Sequence, residues 1–274
     1  MQKNNREAGS LKHLRRLLLA AAFAVLISSV FGYAPAVQAK KQKIKILFIG
    51  NSLTNPRNNP MIKYVKKLGS AGGFKVRTKH VVFRNEKMYN YANPRTHQGR
   101  AARKAIKAEK WDVVILQDQT DEATVCGPRM KKSMLTVARL VRKNSKKTKI
   151  LLNCTWPYYK YRHGISIARQ FRLMTANYKA ARKALRKEVY GGKKDMVDVI
   201  WSGKAFVDYM TSKGHLNLYK RDRNHPTHAG AYMNACCTYA KVFGKTPVGN
   251  TYHADVDKKK AKKIQKTAAK YNLK

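Results

Sequence analysis

Five of the six residues from 44 to 49, inside the stretch KIKILFIGNS, are apolar, and Ile46, Leu47, Phe48 and Ile49 are contiguous. A run without polar alternation predicts a strand buried on both faces, which requires a parallel sheet covered by helices. The run stops on Gly50-Asn51-Ser52. Gly50 permits a sharp turn, and Ser52 falls just past the strand's carboxyl end, where ligands and catalytic groups gather in open α/β sheets. Taken alone, the simpler reading is a turn with Asn51 or Ser52 capping the next helix.

The rest of the chain repeats this alternation of strand and helix. Apolar runs at 74–83, 111–117, 148–156 and 196–203 read as strands, and the alternating pattern of the first of these suits a sheet edge. Between them lie amphipathic segments at 61–69, 99–109, 128–144, 165–189 and 205–214. In the third, Met130, Met134, Val137, Leu140 and Val141 share one face. A further helix is predicted over 225–244, opened by Pro226. Near the C-terminus, Ala261, Ile264, Ala268 and Tyr271 form one stripe on a basic helix that lies on the body or on a charged surface. No internal repeat and no long Pro/Gly linker interrupts the pattern. It predicts a three-layer α/β/α sandwich with a mainly parallel sheet, a single domain over 40–250, and a basic C-terminal helix within 251–274.

The first 39 residues read differently. Lys3, Arg6, Lys12, Arg15 and Arg16 precede an apolar run at 17–34, and small residues stand at Val37 and Ala39. That pattern predicts a secretory signal cut after Ala39, hence a secreted or cell-surface protein that meets a membrane only through this segment during export. The run is short for a membrane span, and no later segment approaches the roughly 20 apolar residues that a span needs. Removing 39 of the 274 residues leaves 235, with 54 Lys and Arg against 13 Asp and Glu, a formal charge of +41.

Such a field attracts anions of almost any kind. Export and the lack of a recognisable reading motif argue against a specific nucleic-acid partner. An anionic cell-envelope polymer or polysaccharide fits better, and a merely solvated lysine surface carries equal weight. The four cysteines, Cys126, Cys154, Cys236 and Cys237, are too few for a disulfide scaffold and contain no C-x-x-C pair, so buried free thiols are expected.

Near the end of the domain stands DRNHPTHAGAY, with Asp222 and His225 three residues apart before the last core helix. A serine hydroxyl is a feeble nucleophile until an imidazole removes its proton, and the imidazole needs a carboxylate to hold its tautomer. Ser52 after the first strand and Asp222-x-x-His225 before the last core helix can meet at one rim of a parallel sheet. His225 and His228, with Asp222 and His215 nearby, form no strong metal-ligand motif, and the triad accounts for Asp222 and His225 more economically. The aromatic run WPYYKYRHG (156–164) could stack on sugar rings, though a loop covering the core is the weightier reading.

GNSLT at 50–54 together with DRNHPTHAGAY at 222–232 resembles the SGNH (GDSL-type) hydrolase superfamily. VVILQDQT at 113–120 and VFGKTPVG at 242–249 are similar to a bacterial branch with Leu-Gln-x-Gln after strand three. The resemblance implies a flavodoxin-like sheet, with Ser52 as nucleophile, His225 as its base and Asp222 orienting that base. It implies that the Ser52 amide is one oxyanion donor, and it normally adds a Gly amide after strand two and an Asn side chain after strand three. Here no Gly occurs in FRNEKMYNYANP, which leaves Asn85 as the best-placed substitute. Gln119 stands where the Asn is expected, with Gln117 as second choice, and Asn51 replaces the commoner Asp.

The resulting expectation is an exported serine esterase that needs no cofactor or metal and cleaves small esters, such as O-acetyl groups on a polysaccharide or envelope glycan. Two rivals remain at this stage. One is a lipase or thioesterase on the same triad, against which the chain shows no apolar lid. The other is a degenerate, non-catalytic fold that binds anionic envelope polymers, favoured by the altered oxyanion segments.

Overall fold

The computed structural model describes residues 41–54, 57 and 59–273. The expected signal segment, 1–39, lies outside the described residues. Strands β1 (Lys43–Gly50), β2 (Lys75–Val82), β3 (Val113–Leu116), β4 (Lys149–Asn153) and β5 (Val197–Ile200) form one sheet in the order β2-β1-β3-β4-β5. Every neighbouring pair is parallel, with Ile46 opposite Thr78 on one side and Val113 on the other. Thus β2 is an edge strand, as its alternation suggested.

The apolar runs have the burial their composition demands. Ile46, Phe48, Val113, Ile115, Leu151 and Ile200 face one layer. That layer holds α1 (Met61–Ala71), α7 (Ser202–Met210), α8 (His228–Phe243) and α9 (Lys258–Asn272). Leu47, Ile49, Val114, Leu116, Ile150 and Val199 face the other. It is covered by α2 (Met88–Ala92), α3 (His97–Lys107), α5 (Gly127–Asn144) and α6 (Ile167–Glu188), with the short α4 (Thr120–Val125) between β3 and α5. The result is a three-layer α/β/α sandwich with a flavodoxin-like strand order. In such sheets the crevice at the carboxyl ends of β1 and β3, where the winding reverses, is the usual ligand site.

Several boundaries differ from the sequence expectation. The strand expected over 196–203 is shortened to 197–200, because Ser202 and Gly203 already belong to α7 and a 3-10 turn covers Lys194–Met196. Helix α8 starts at His228 rather than at Pro226, since the Thr227 hydroxyl caps it by accepting from the Gly230 amide. Pro226 instead pairs with Tyr219 in an isolated bridge. The periodicity missed α2 and α4, which are only five and six residues long. The stripe on α9 is buried at Ala261, Ile264 and Ala268, and Asp257 caps the helix start. All four cysteines are free, with Cys154, Cys236 and Cys237 buried and their thiols pushed up by burial.

Candidate active site

At the end of β1 the chain turns through Asn51, whose carbonyl accepts from the Thr54 amide and whose side-chain oxygen accepts from the Leu53 amide. This presents Ser52 at the carboxyl edge of the sheet. The turn is braced from β3 by Gln117. Its Oε1 accepts from the Asn51 amide and the Thr54 hydroxyl, both at 3.0 Å, while its Nε2 donates to Asn51 Oδ1 at 2.9 Å and to the Asp118 carbonyl. A Cβ on residue 50 would lie 2.6 Å from Gln117 Oε1, so only glycine fits where the brace crosses β1.

The loop carrying His225 is held by a different set of contacts. The Trp156 indole donates to the Asn224 carbonyl at 2.8 Å, and the Tyr159 amide donates to the Arg223 carbonyl at 2.8 Å. The Tyr219 hydroxyl donates to the Pro157 carbonyl, and the Lys220 amide to that of His225. The aromatic run after β4 is therefore largely a brace: Trp156 is buried and stacked on Phe206 with ring centres 3.8 Å apart. Of its Trp and Tyr side chains, only Tyr159 and Tyr161 stand well exposed.

These two supports bring Ser52, His225 and Asp222 together. His225 Nε2 lies 2.9 Å from Ser52 Oγ, and His225 Nδ1 lies 2.6 Å from Asp222 Oδ2. Asp222 Oδ1 accepts from the amides of Asn224 and His225 at 3.0 and 2.9 Å. Partial burial pulls the Asp222 carboxyl upward, but those amides and the imidazole outweigh it and hold the group below its ordinary range. A carboxylate that stays ionised can fix an Nδ1–H tautomer, leaving Nε2 to accept a proton from the hydroxyl.

Beside the hydroxyl lies a cavity of about 230 Å³ lined by Asn51, Ser52, Asn85, Gln119, Tyr158 and His225, among others. Asn85 has φ 55°, the left-handed conformation that asparagine tolerates better than most residues. It stands after β2, where the resemblance implies a glycine amide, in a conformation that glycine also adopts readily. The Gln119 side chain donates to Asn85 Oδ1 at 2.6 Å, tying the loops after β2 and β3 together at the cavity wall. No described residue accepts from the backbone amides of Ser52 or Asn85.

Two sequence expectations are corrected here. Gln117 does not reach the cavity: it is 1 % exposed and its amide is committed to the Ser52 turn, so it is a brace rather than a cavity-wall residue. Asn51 lines the cavity, yet its side chain is occupied by the Glu86 carbonyl, the Leu53 amide and Gln117. The sequence reading passed over Asp118. Fully buried, it accepts through Oδ1 from the amides of Met88 and Gln119 and so joins α2 to the Gln119 loop. Its Oδ2 has no partner among the described residues, and burial drives its pKa up to about 7. Its only sequence signal was a charged residue directly after a buried strand. Arg84 and Asn224 were likewise missed as wall residues of the cavity, whereas Tyr158 comes from the aromatic run weighed from the sequence as a sugar-stacking surface.

No family model matches the sequence, and no curated protein matches it. Solved structures do. A DUF4886 family protein from Bacteroides uniformis superposes with a TM-score of 0.70 at 19 % identity, over 85 % of this chain and 97 % of that one. A protein from Slackia heliotrinireducens proposed to be an SGNH hydrolase gives 0.59 at 19 % identity, over 72 % and 98 % of the two chains. A lipase/acylhydrolase from Enterococcus faecalis gives 0.54 at 16 % identity, over 73 % and 96 %. The chain has the α/β fold of the SGNH hydrolases.

Proposed function

We propose that this protein is an exported serine esterase that removes small acyl groups, acetyl foremost, from the hydroxyls of a glycan. The observation that carries the reading is the unbroken series Asp222–His225–Ser52, at 2.6 and 2.9 Å, opening onto a small cavity walled by amide-bearing side chains. As the Ser52 oxygen attacks the ester carbonyl, its proton passes to His225 Nε2 and the carbonyl oxygen becomes an oxyanion. The Ser52 amide, the Asn85 amide or side chain and the Gln119 side chain are the donors placed to receive that charge. One such donor is typically worth about 3–4 kcal/mol in the transition state. His225 then protonates the leaving sugar oxygen, which departs as the alcohol and leaves acyl-Ser52. Water, deprotonated by the same imidazole, releases the carboxylic acid and restores the hydroxyl.

The small cavity favours a short acyl group over a fatty one. The glycan is inferred from the expected export and the large positive charge. Acetate release from acetylated glycans and p-nitrophenyl acetate, by the parent and by Ser52→Ala, tests the reading. We expect release by the parent and a fall of at least about 10³-fold in the variant. Equal release by both would remove Ser52 from the chemistry.

A further inference from the structure

The loop that carries Asp222 and His225 has a second face. Behind it lies a cavity of about 620 Å³, within the size range of small-ligand sites, lined by Tyr159, Asn217, Tyr219, Lys220, Arg221 and Arg223, among others. Tyr159 lies flat on Tyr219, ring centres 5.1 Å apart and 22° from parallel. Tyr219 is buried, whereas Tyr159 is 43 % exposed, so the pair forms a fixed platform with an open outer ring. Neither Arg221 nor Arg223 makes an ion pair with any described residue, and no carboxylate lines the cavity. Asp222, between them in sequence, directs its oxygens to His225 and to the amides of Asn224 and His225.

The groove on the other side of the catalytic cavity shows that this imbalance is local. There Arg129 is held by Glu122 and Arg162 by Asp121, so both guanidinium groups are already matched. An aromatic platform beside unmatched guanidinium groups suits a ring that is apolar on its face and anionic at its edge.

We propose that this cavity is a subsite for an acidic sugar, a pyranose bearing a carboxylate or a phosphate. The ring lies on Tyr159 and the oxyanion meets Arg221 and Arg223. Because the cavity backs onto the loop of His225, an acidic residue seated here belongs to the same chain as the sugar whose ester enters the Ser52 cavity. That placement rests on the esterase reading; the binding itself does not.

Calorimetric titration of the Ser52→Ala protein with trigalacturonate, galactose 6-phosphate and neutral galactotriose tests it. We expect at least one acidic ligand to bind at least about tenfold more tightly than galactotriose, as a charge-assisted contact would provide. The better of the two identifies the anion as carboxylate or phosphate. Arg221→Gln/Arg223→Gln should weaken that ligand by about tenfold or more and Tyr159→Leu by about fivefold, since both arginines are exposed and Leu keeps the apolar cover. Lys146→Gln/Lys147→Gln, an equal charge loss at the amino edge of the sheet, should change it less than about twofold.

Equal affinity for acidic and neutral ligands, no binding at all, an unaffected Tyr159→Leu, or an equal loss in the two double variants would each overturn the proposal. The last would mean general surface attraction only. Selective binding by a protein whose parent releases no acetate would keep the subsite and discard the esterase.

Discussion

The two halves of the candidate active site are built on opposite physical terms. The Ser52 turn is internal: Asn51 and Thr54 are buried and bonded together through Gln117, a glutamine that is 1 % exposed. The His225 loop is external. The side chains of Asp222 and His225 are 49 % and 33 % exposed, and the loop hangs on single backbone and indole contacts to the segment after β4. Ser52 is thus placed by the core and His225 by a strap. Damage to the first should appear as lost stability, and damage to the second as lost turnover.

The largest expected effect tests the strap alone. Asp222→Asn should lower kcat by on the order of 10³–10⁴-fold, because the imidazole loses its tautomer partner. Its melting temperature should stay within a degree or two, since the site is exposed. A concurrent large loss of stability would erase the distinction between the two regions. Next comes the core side. Gln117→Ala strands the buried Asn51 amide and Thr54 hydroxyl, at about 1–3 kcal/mol for each unsatisfied group, so denaturant unfolding should show a loss of about 3–5 kcal/mol. Trp156→Phe keeps the stack on Phe206 but removes the donor to Asn224. It should cost about 1 kcal/mol in stability and lower kcat about three- to tenfold, an intermediate signature for a residue that joins core to strap.

The last effect is read from its pH dependence and belongs to Asp118. Its folded pKa of about 7 lies above the ordinary carboxyl value of 3.8. Between those values the folded protein keeps a proton that the unfolded chain has released. Its contribution to stability therefore falls as pH rises from about 4 to about 7, and is constant above. Asp118→Asn can still accept from Met88 and Gln119 but carries no charge. Relative to the parent it should gain stability across that window, which urea unfolding at pH 4.5 and 7.5 would show. A parallel shift at both pH values would mean that the carboxyl is ionised throughout.

Much of this molecule could be read from its residues because burial writes a simple code. Apolar runs marked four strands and alternation marked β2, and the place of a serine after the first strand and Asp-x-x-His before the last core helix marked the residues that the fold brings within hydrogen-bonding distance. The details that escaped depend on contacts between distant segments. Gln117 and Gln119 are alike in sequence, two positions apart after one strand; the strand ends at Leu116, and the path of the loop beyond it sends one to the Asn51 turn and the other to the cavity wall. Nothing local distinguishes Asn85 in a left-handed turn from any other loop asparagine. Trp156 reads as a core residue, and it is one, yet the indole N–H that secures the His225 loop has no signature in the pattern.

The central claim is that His225 activates Ser52. Reaction with a fluorophosphonate, followed by peptide mass mapping, tests it directly. The account expects one adduct per chain, on Ser52, formed at least about 10³ times more slowly in a folded His225→Ala protein. An adduct on any other residue, or Ser52 labelling at an unchanged rate without the imidazole, would contradict it.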